Sequence, residues 1–175
     1  MSYLPSNKEM PMFLHAAVQL AFAFALAVFL ASGYAWDIIA RAAASMLEVA
    51  GIQTAYVSRL FLMYVRLLDG SVIGFQVLLE CSGLVTLLIF TFISSLTIGL
   101  LRGSLKIKII WFLLSASIGF MWNLCRLASV IAIAYTFGIP SFEFMHYVLA
   151  PTIDFVWIVS AWALGMSWIK REGST

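Results

Sequence analysis

Long apolar runs alternate along this chain with short stretches in which charges appear. The first run, Met12 to Tyr34, follows Pro11 and holds no Asp, Glu, Lys or Arg. About 20 apolar residues cross a bilayer core, so this run predicts a membrane helix. A second run covers Ser82 to Leu101, and a third begins at Ile109. The third pattern continues to Phe137, too long for one untilted crossing, so that helix either projects beyond the bilayer or breaks near Arg126. Gly138-Ile139-Pro140-Ser141 reads as a turn, and the last run covers Met145 to Ile169. The expected spans are 12–34, 82–101, 109–130 and 145–169, within one integral membrane domain over 1–175.

Between the first two runs the pattern changes. Trp36 to Ala50 carries Asp37 and Arg41 at a supportive helical ion-pair spacing. Ile38, Ala42, Met46 and Val49 fall on one face, which predicts an amphipathic helix lying at the membrane surface. Gly51 is placed to end it. From Gln53 to Leu79, Val57, Leu60, Phe61, Leu62, Tyr64, Val65 and Leu67 are strand-compatible. Leu68-Asp69-Gly70-Ser71 is a turn signal, and Val72 to Leu79 resumes the strand pattern. This predicts either a small β-ribbon over the membrane or a helix continued from Thr54 to Leu68.

Composition decides the class. Hydrophobic residues make up 63% of the 175, and charged residues 10%, against about a quarter in soluble proteins. The expected fold is an all-α membrane protein: a polytopic helical bundle of about four transmembrane helices with a small extracytoplasmic cap of amphipathic helix and β-ribbon. No basic stripe points to nucleic acid. Two distant cysteines make neither a disulfide framework nor a close-spaced zinc motif, and neither cofactor nor metal is expected. Lys8 and the small residues Ala31-Ser32-Gly33 loosely imitate a secretory signal. The run between them is too long for one and Glu9 adjoins Lys8, so a retained helix is expected. The positive charges of Arg102 to Lys108 and of Lys170-Arg171 place those segments in the cytoplasm. Both termini are then cytoplasmic and 35–80 lies outside.

That topology brings three distant residues to one depth. Cys81 opens an inward-running helix, Arg126 lies near the top of an outward-running one, and His146 opens the last inward-running one. A thiol becomes a thiolate more readily at a helix N-terminus or beside a cation. The N–H groups of Ser82 and Gly83 are placed to serve an oxyanion. Arg126 is a charge inside an apolar stretch, a functional hypothesis by default. It cannot act as a base, but it can hold a thiolate, polarise a carbonyl or grip a carboxylate. Asn123, one turn earlier, can bond the same ligand. His146 is the natural general base for Cys81 and acid for a leaving amine, with Glu143 placed to orient its ring. Asp154, also within a span, must find a partner: Arg126, a Trp N–H or His146. Cys125 reads as a small core residue and His15 as an interfacial one. The bland alternative for Cys81 is packing, for His146 an interfacial position, and for Arg126 snorkelling to headgroups.

Glu80-Cys81-Ser82-Gly83-Leu84, then Asn123-Leu124-Cys125-Arg126, then His146 at the start of a final span, resemble the exosortase/archaeosortase family over roughly 51–168. The resemblance implies a membrane-embedded cysteine transpeptidase. Such enzymes cut C-terminal sorting signals of secreted proteins, of the PEP-CTERM or a related kind, outside the cytoplasmic membrane. It implies Cys81 as nucleophile, His146 as proton carrier and Arg126 as charge stabiliser. Glu80, Ser82, Gly83 and Asn123 are the expected substrate-binding positions. An amine then resolves the acyl-enzyme and passes the trimmed protein to a lipid or glycan acceptor. The chain resembles the compact core of a family whose members often carry more spans.

The expected function is therefore cysteine transpeptidation at the outer face of the cytoplasmic (inner) membrane. The partners are membrane-tethered substrates and membrane lipid. Plain proteolysis on the same site is one alternative. Another is a non-enzymatic component of surface-polysaccharide assembly or export, with Arg126 holding an anionic lipid or glycan.

Overall fold

A computed structural model of the chain describes residues 12–78, 83–101 and 104–172. Six helices and a three-stranded sheet follow one another: α1 (Met12–Ala31), α2 (Gly33–Val49), β1 (Thr54–Val57), β2 (Leu62–Arg66), β3 (Val72–Gln76), α3 (Leu84–Gly99), α4 (Leu105–Phe137), α5 (Ile139–Phe144) and α6 (Ala150–Glu172). Among the described residues, three stretches are long and apolar enough to cross a membrane: Phe13–Ala31, Leu105–Phe137 and Ile139–Lys170. α3, on the expected second span, is apolar but has 16 residues, about 24 Å of helix against a core of about 30 Å.

α4 runs unbroken through Arg126 for 33 residues, about 50 Å. Of the two alternatives for this stretch, the helix takes the long, continuous one. Gly138 alone makes the turn after it, and Ile139, Pro140 and Ser141 are already helical. Pro suits a first helical turn, where its missing N–H costs nothing. α5 passes through a one-turn π segment, Met145–Leu149, into α6.

The first run ends sooner than its hydropathy suggests. Ser32 breaks the helix at the end of α1, its hydroxyl bonding Phe29 O at 2.5 Å. Trp36 Nε1 reaches back to Leu30 O at 3.0 Å, occupying a carbonyl left open at the helix end. α2 has two apolar faces. Ile38, Met46 and Val49 point outward and stay exposed, while Ala35, Ile39, Ala43 and Leu47 are buried. Small residues on the buried face let α2 lie close on α4. α2 ends at Gly51, whose φ of +83° allows the bonds Gly51 N to Glu48 O and Ile52 N to Leu47 O, both 2.9 Å.

Over 54–68, in place of a continued α-helix, the chain takes strands β1 and β2 joined by one 3-10 turn, Ser58–Leu60. β1, β2 and β3 pair antiparallel in that order, with Ala55 opposite Tyr64 and Tyr64 opposite Gly74. The sheet makes an all-α description too narrow; aromatic and β-branched residues at period two outweigh helix propensity here. Leu67 N to Ser71 O closes the β2–β3 hairpin at 2.8 Å, and Asp69 Oδ1 accepts from Ser71 N at 2.9 Å. Met63, Val65, Phe75 and Val77 form the buried face, in one core with the Ala face of α2 and with Leu127 and Ile131 of α4.

At the other end, the basic stretch Arg102 to Lys108, whose charges suggest a polar loop, is helical from Leu105 onward. Lys108 is fully buried. Its Nζ donates to Gly99 O at 2.9 Å and Leu101 O at 2.5 Å, and lies 3.3 Å from His15 Nδ1. A cation thus closes the C-terminal end of α3, where carbonyls lack partners. Arg102 and Gly103 lie outside the described residues, as do Lys8, Glu9 and Pro11.

The sheet is tied to α2 by charge. Asp37 accepts from Arg41 Nε at 2.7 Å and from Ser58 Oγ at 2.5 Å, and Arg41 also donates to Ser58 at 2.6 Å. The Ser58 hydroxyl, aided by Arg41, holds the Asp37 carboxyl below its usual range. A carboxylate with a depressed folded pKa adds stability above its unfolded value near 3.9, lost as pH falls through the folded value. Asp37→Asn should cost about 1 kcal/mol at neutral pH. Its thermal unfolding in detergent should converge on that of the wild type as pH falls below the ordinary carboxylate range. A deficit independent of pH contradicts this.

Candidate active site

The site forms where the start of α3 meets α4 and α6. Gly83, just before α3, has a φ of +71°, a left-handed conformation that costs other residues strain. A Cβ there would sit 2.7 Å from Arg126 Nη2 and 2.8 Å from Asn123 Cγ, and closer still to Asn123 Oδ1. Only glycine lets this turn press against both side chains. Asn123 is 1% exposed, and its Oδ1 has no hydrogen-bond partner among the described residues. A buried amide oxygen of this kind is a ready acceptor.

Arg126 is held by α6. Its Nη1 stands 3.1 Å from Asp154 Oδ2, with both side chains nearly buried. Asp154 also accepts from Thr86 Oγ1 of α3 and Trp122 Nε1 of α4, each at 3.2 Å. One carboxylate thus joins three helices. Its further partners satisfy lone pairs that a bare ion pair would leave open, which a buried pair requires. One edge of the guanidinium meets Asp154 while Nη2 faces the Gly83 turn. Snorkelling to headgroups is not what Arg126 does.

His146 sits in the π segment. Single π turns inside α-helices recur at functional sites. Its ring stacks on Phe142, 5.3 Å between centroids and 4° between planes, and meets Tyr147 edge-on at 4.8 Å. The Arg126 charge reaches it. A hollow of about 240 Å³ lies beside His146, walled by β3, α4 and Phe142. No hydrogen bond or ion pair among the described residues joins Glu143 to His146.

Two of the three expected catalytic residues, Arg126 and His146, and two expected substrate-binding residues, Asn123 and Gly83, are described. Arg126, Asn123 and Gly83 meet, and His146 lies within reach of the Arg126 charge. Cys81, Glu80 and Ser82 lie outside the described residues. Cys125 is exposed on α4 rather than packed in the core; Asn123, Leu124 and Leu127 are buried, and it turns away from them. The expected partners of Asp154, Arg126 and a Trp N–H, are both present, the latter being Trp122; sequence reasoning missed Thr86. The signal available was Asp154 itself, because a carboxylate in an apolar span needs several donors.

Residues 8–172 match the family model for transmembrane exosortases (Exosortase_EpsH). The chain belongs to the transmembrane exosortase family. No curated protein and no solved structure matches it. The match covers the whole site of this exosortase, from Gly83 to Asp154, together with the membrane helices that carry it.

Removing Asp154 takes away the buried ion pair of Arg126. Asp154→Ala should destabilise the exosortase by about 3–5 kcal/mol, and adding Arg126→Met should restore part of that loss. Unfolding of the two single variants and the double variant in detergent measures the coupling; additive losses contradict the pair.

Proposed function

We propose that this exosortase is a cysteine transpeptidase of the outer face of the cytoplasmic membrane, acting on membrane-tethered proteins with C-terminal sorting signals. The observation that carries the reading is the Gly83 turn, which follows Cys81 by two residues and is pressed against Asn123 and Arg126, with His146 on a hollow that Leu127, the next residue of α4, also lines. The turn offers a cation and the N–H groups that open α3 to an anionic sulfur or oxyanion, and the amide oxygen of Asn123 to a substrate N–H.

The chemistry follows from those groups. His146 takes the Cys81 proton, and the thiolate sulfur attacks the scissile carbonyl carbon. Arg126 and N–H groups at the start of α3 stabilise the oxyanion. The C–N bond breaks as His146 returns the proton to the leaving amine, leaving a thioester. An acceptor amine on a lipid or glycan carrier attacks that thioester and gives up a proton to His146. A new amide forms and the thiolate is released. Asn123 Oδ1 is an acceptor, so its role is to bond a substrate N–H rather than the oxyanion. Confinement of enzyme and substrate to one membrane supplies proximity without a deep soluble pocket.

Mass spectrometry of a co-expressed substrate C-terminus tests the reaction. Wild-type enzyme should give a new amide at the cut end, and Cys81→Ala should leave the signal uncut. A free carboxylate would mean proteolysis. Cutting by Cys81→Ala would remove the thiol from the mechanism.

A further inference from the structure

β3 is an edge strand whose free side borders the site. In an antiparallel pair, residues that exchange both main-chain bonds alternate with residues that exchange none. Val77 N donates to Phe61 O at 2.7 Å at one end of β2–β3, and Leu67 N to Ser71 O at 2.8 Å at the other. Both ends give the same parity. Phe75 and Ile73 therefore bond to Met63 and Val65 across the printed register, while Val72, Gly74 and Gln76 direct their N–H and C=O groups away from β2. Among the described residues, the sheet has no further strand on that side. Gly74 and Gln76 are exposed, and no turn, loop or cap hydrogen bond among the described residues takes them up.

A bare edge is a template for any extended chain, and folded proteins generally cover or charge such edges. Here it runs along the hollow beside His146, which is also lined by Gly74, Gln76, Ile131, Phe142 and Tyr147. Main-chain bonds to an edge supply affinity, and a pocket for alternate side chains supplies selection. Both are adjacent to the imidazole.

We propose that the free edge of β3 binds the substrate's extended segment by strand addition. The segment bonds the main-chain groups of Gly74 and Gln76, and one of its side chains enters the hollow beside His146. The proposal rests on the transpeptidase reading. Main-chain bonding is indifferent to most side chains, so such an edge would accept segments of differing sequence.

Amide hydrogen exchange with a membrane-tethered reporter ending in a PEP-CTERM-type signal tests it, using Cys81→Ala enzyme so that the complex persists. Exchange at Gly74 and Gln76 should slow roughly tenfold or more on binding, with Ile73 and Phe75 already protected. Gln76→Pro removes one outward N–H and keeps the β2 side, where proline is tolerated at an edge. It should raise KM roughly tenfold, and Gln76→Ala, which keeps the N–H, should lose less. If Gln76→Pro fails to fold, the exchange result decides alone. A reporter cut by wild-type enzyme while Gly74 and Gln76 stay unprotected overturns strand addition and leaves transpeptidation standing. Protection that needs no reporter and grows with protein concentration overturns it in favour of a second copy on the edge. A reporter that the wild type never cuts overturns the transpeptidase reading and this inference with it.

Discussion

A guanidinium inside an apolar bundle has to be answered by a carboxylate, and the arrangement of this end of the bundle follows from that need. An isolated charge taken out of water costs several kcal/mol even after relaxation. Asp154 answers Arg126, and because a lone carboxylate carries the same penalty, Thr86 and Trp122 answer Asp154. The result ties α3, α4 and α6 at one level. Gly83 can then bring the start of α3 against the other edge of the same guanidinium. The contacts that stabilise the buried charge are thus the same ones that fix where the guanidinium sits.

The sheet and the π segment complete the surroundings. The aromatic clasp of Phe142 and Tyr147 sets the His146 ring, and Phe142 also packs on Phe75 of β3, 5.0 Å between centroids. The imidazole is thus linked to the sheet as well as to Arg126. The sheet in turn is held to α2 by Asp37, Arg41 and Ser58. The far end of the bundle has its own buried cation, Lys108, answered by backbone carbonyls instead of a carboxylate. The two buried cations are satisfied differently because one caps a helix end and the other lies in mid-helix, where carbonyls are already bonded.

Much of this was legible in the residues. Hydropathy marked the apolar helices, and an ionisable residue inside an apolar run marked Arg126 and Asp154. Asp69-Gly70 marked the hairpin turn, and the Asp37–Arg41 spacing marked the ion pair. Other features were not legible, for physical reasons. β1 to β3 and a continued helix share apolar residues at overlapping periods, and only pairing across the sheet separates them. Lys108 looked like a loop charge because a buried lysine is recognised by the carbonyls it finds, which belong to a different helix. Ile38 and Met46 drew attention to the outward face of α2, whereas the alanines opposite them do the packing. A π turn leaves no periodic trace in so short a stretch, and the exposed side of Cys125 emerges only once Asn123 and Leu124 are seen buried. The placement of Cys81, Glu80 and Ser82 stays with the sequence, since those residues lie outside the described structure.

The central claim is that the thiol at 81 shares one electrostatic site with Arg126 and His146. The rate of Cys81 alkylation against pH, in a Cys125→Ser background, measures this most directly. The account predicts a thiolate present well below the ordinary thiol value near 8.5, with Arg126→Gln and His146→Ala each moving the titration upward. A profile at the ordinary thiol value, unmoved by either substitution, would contradict it.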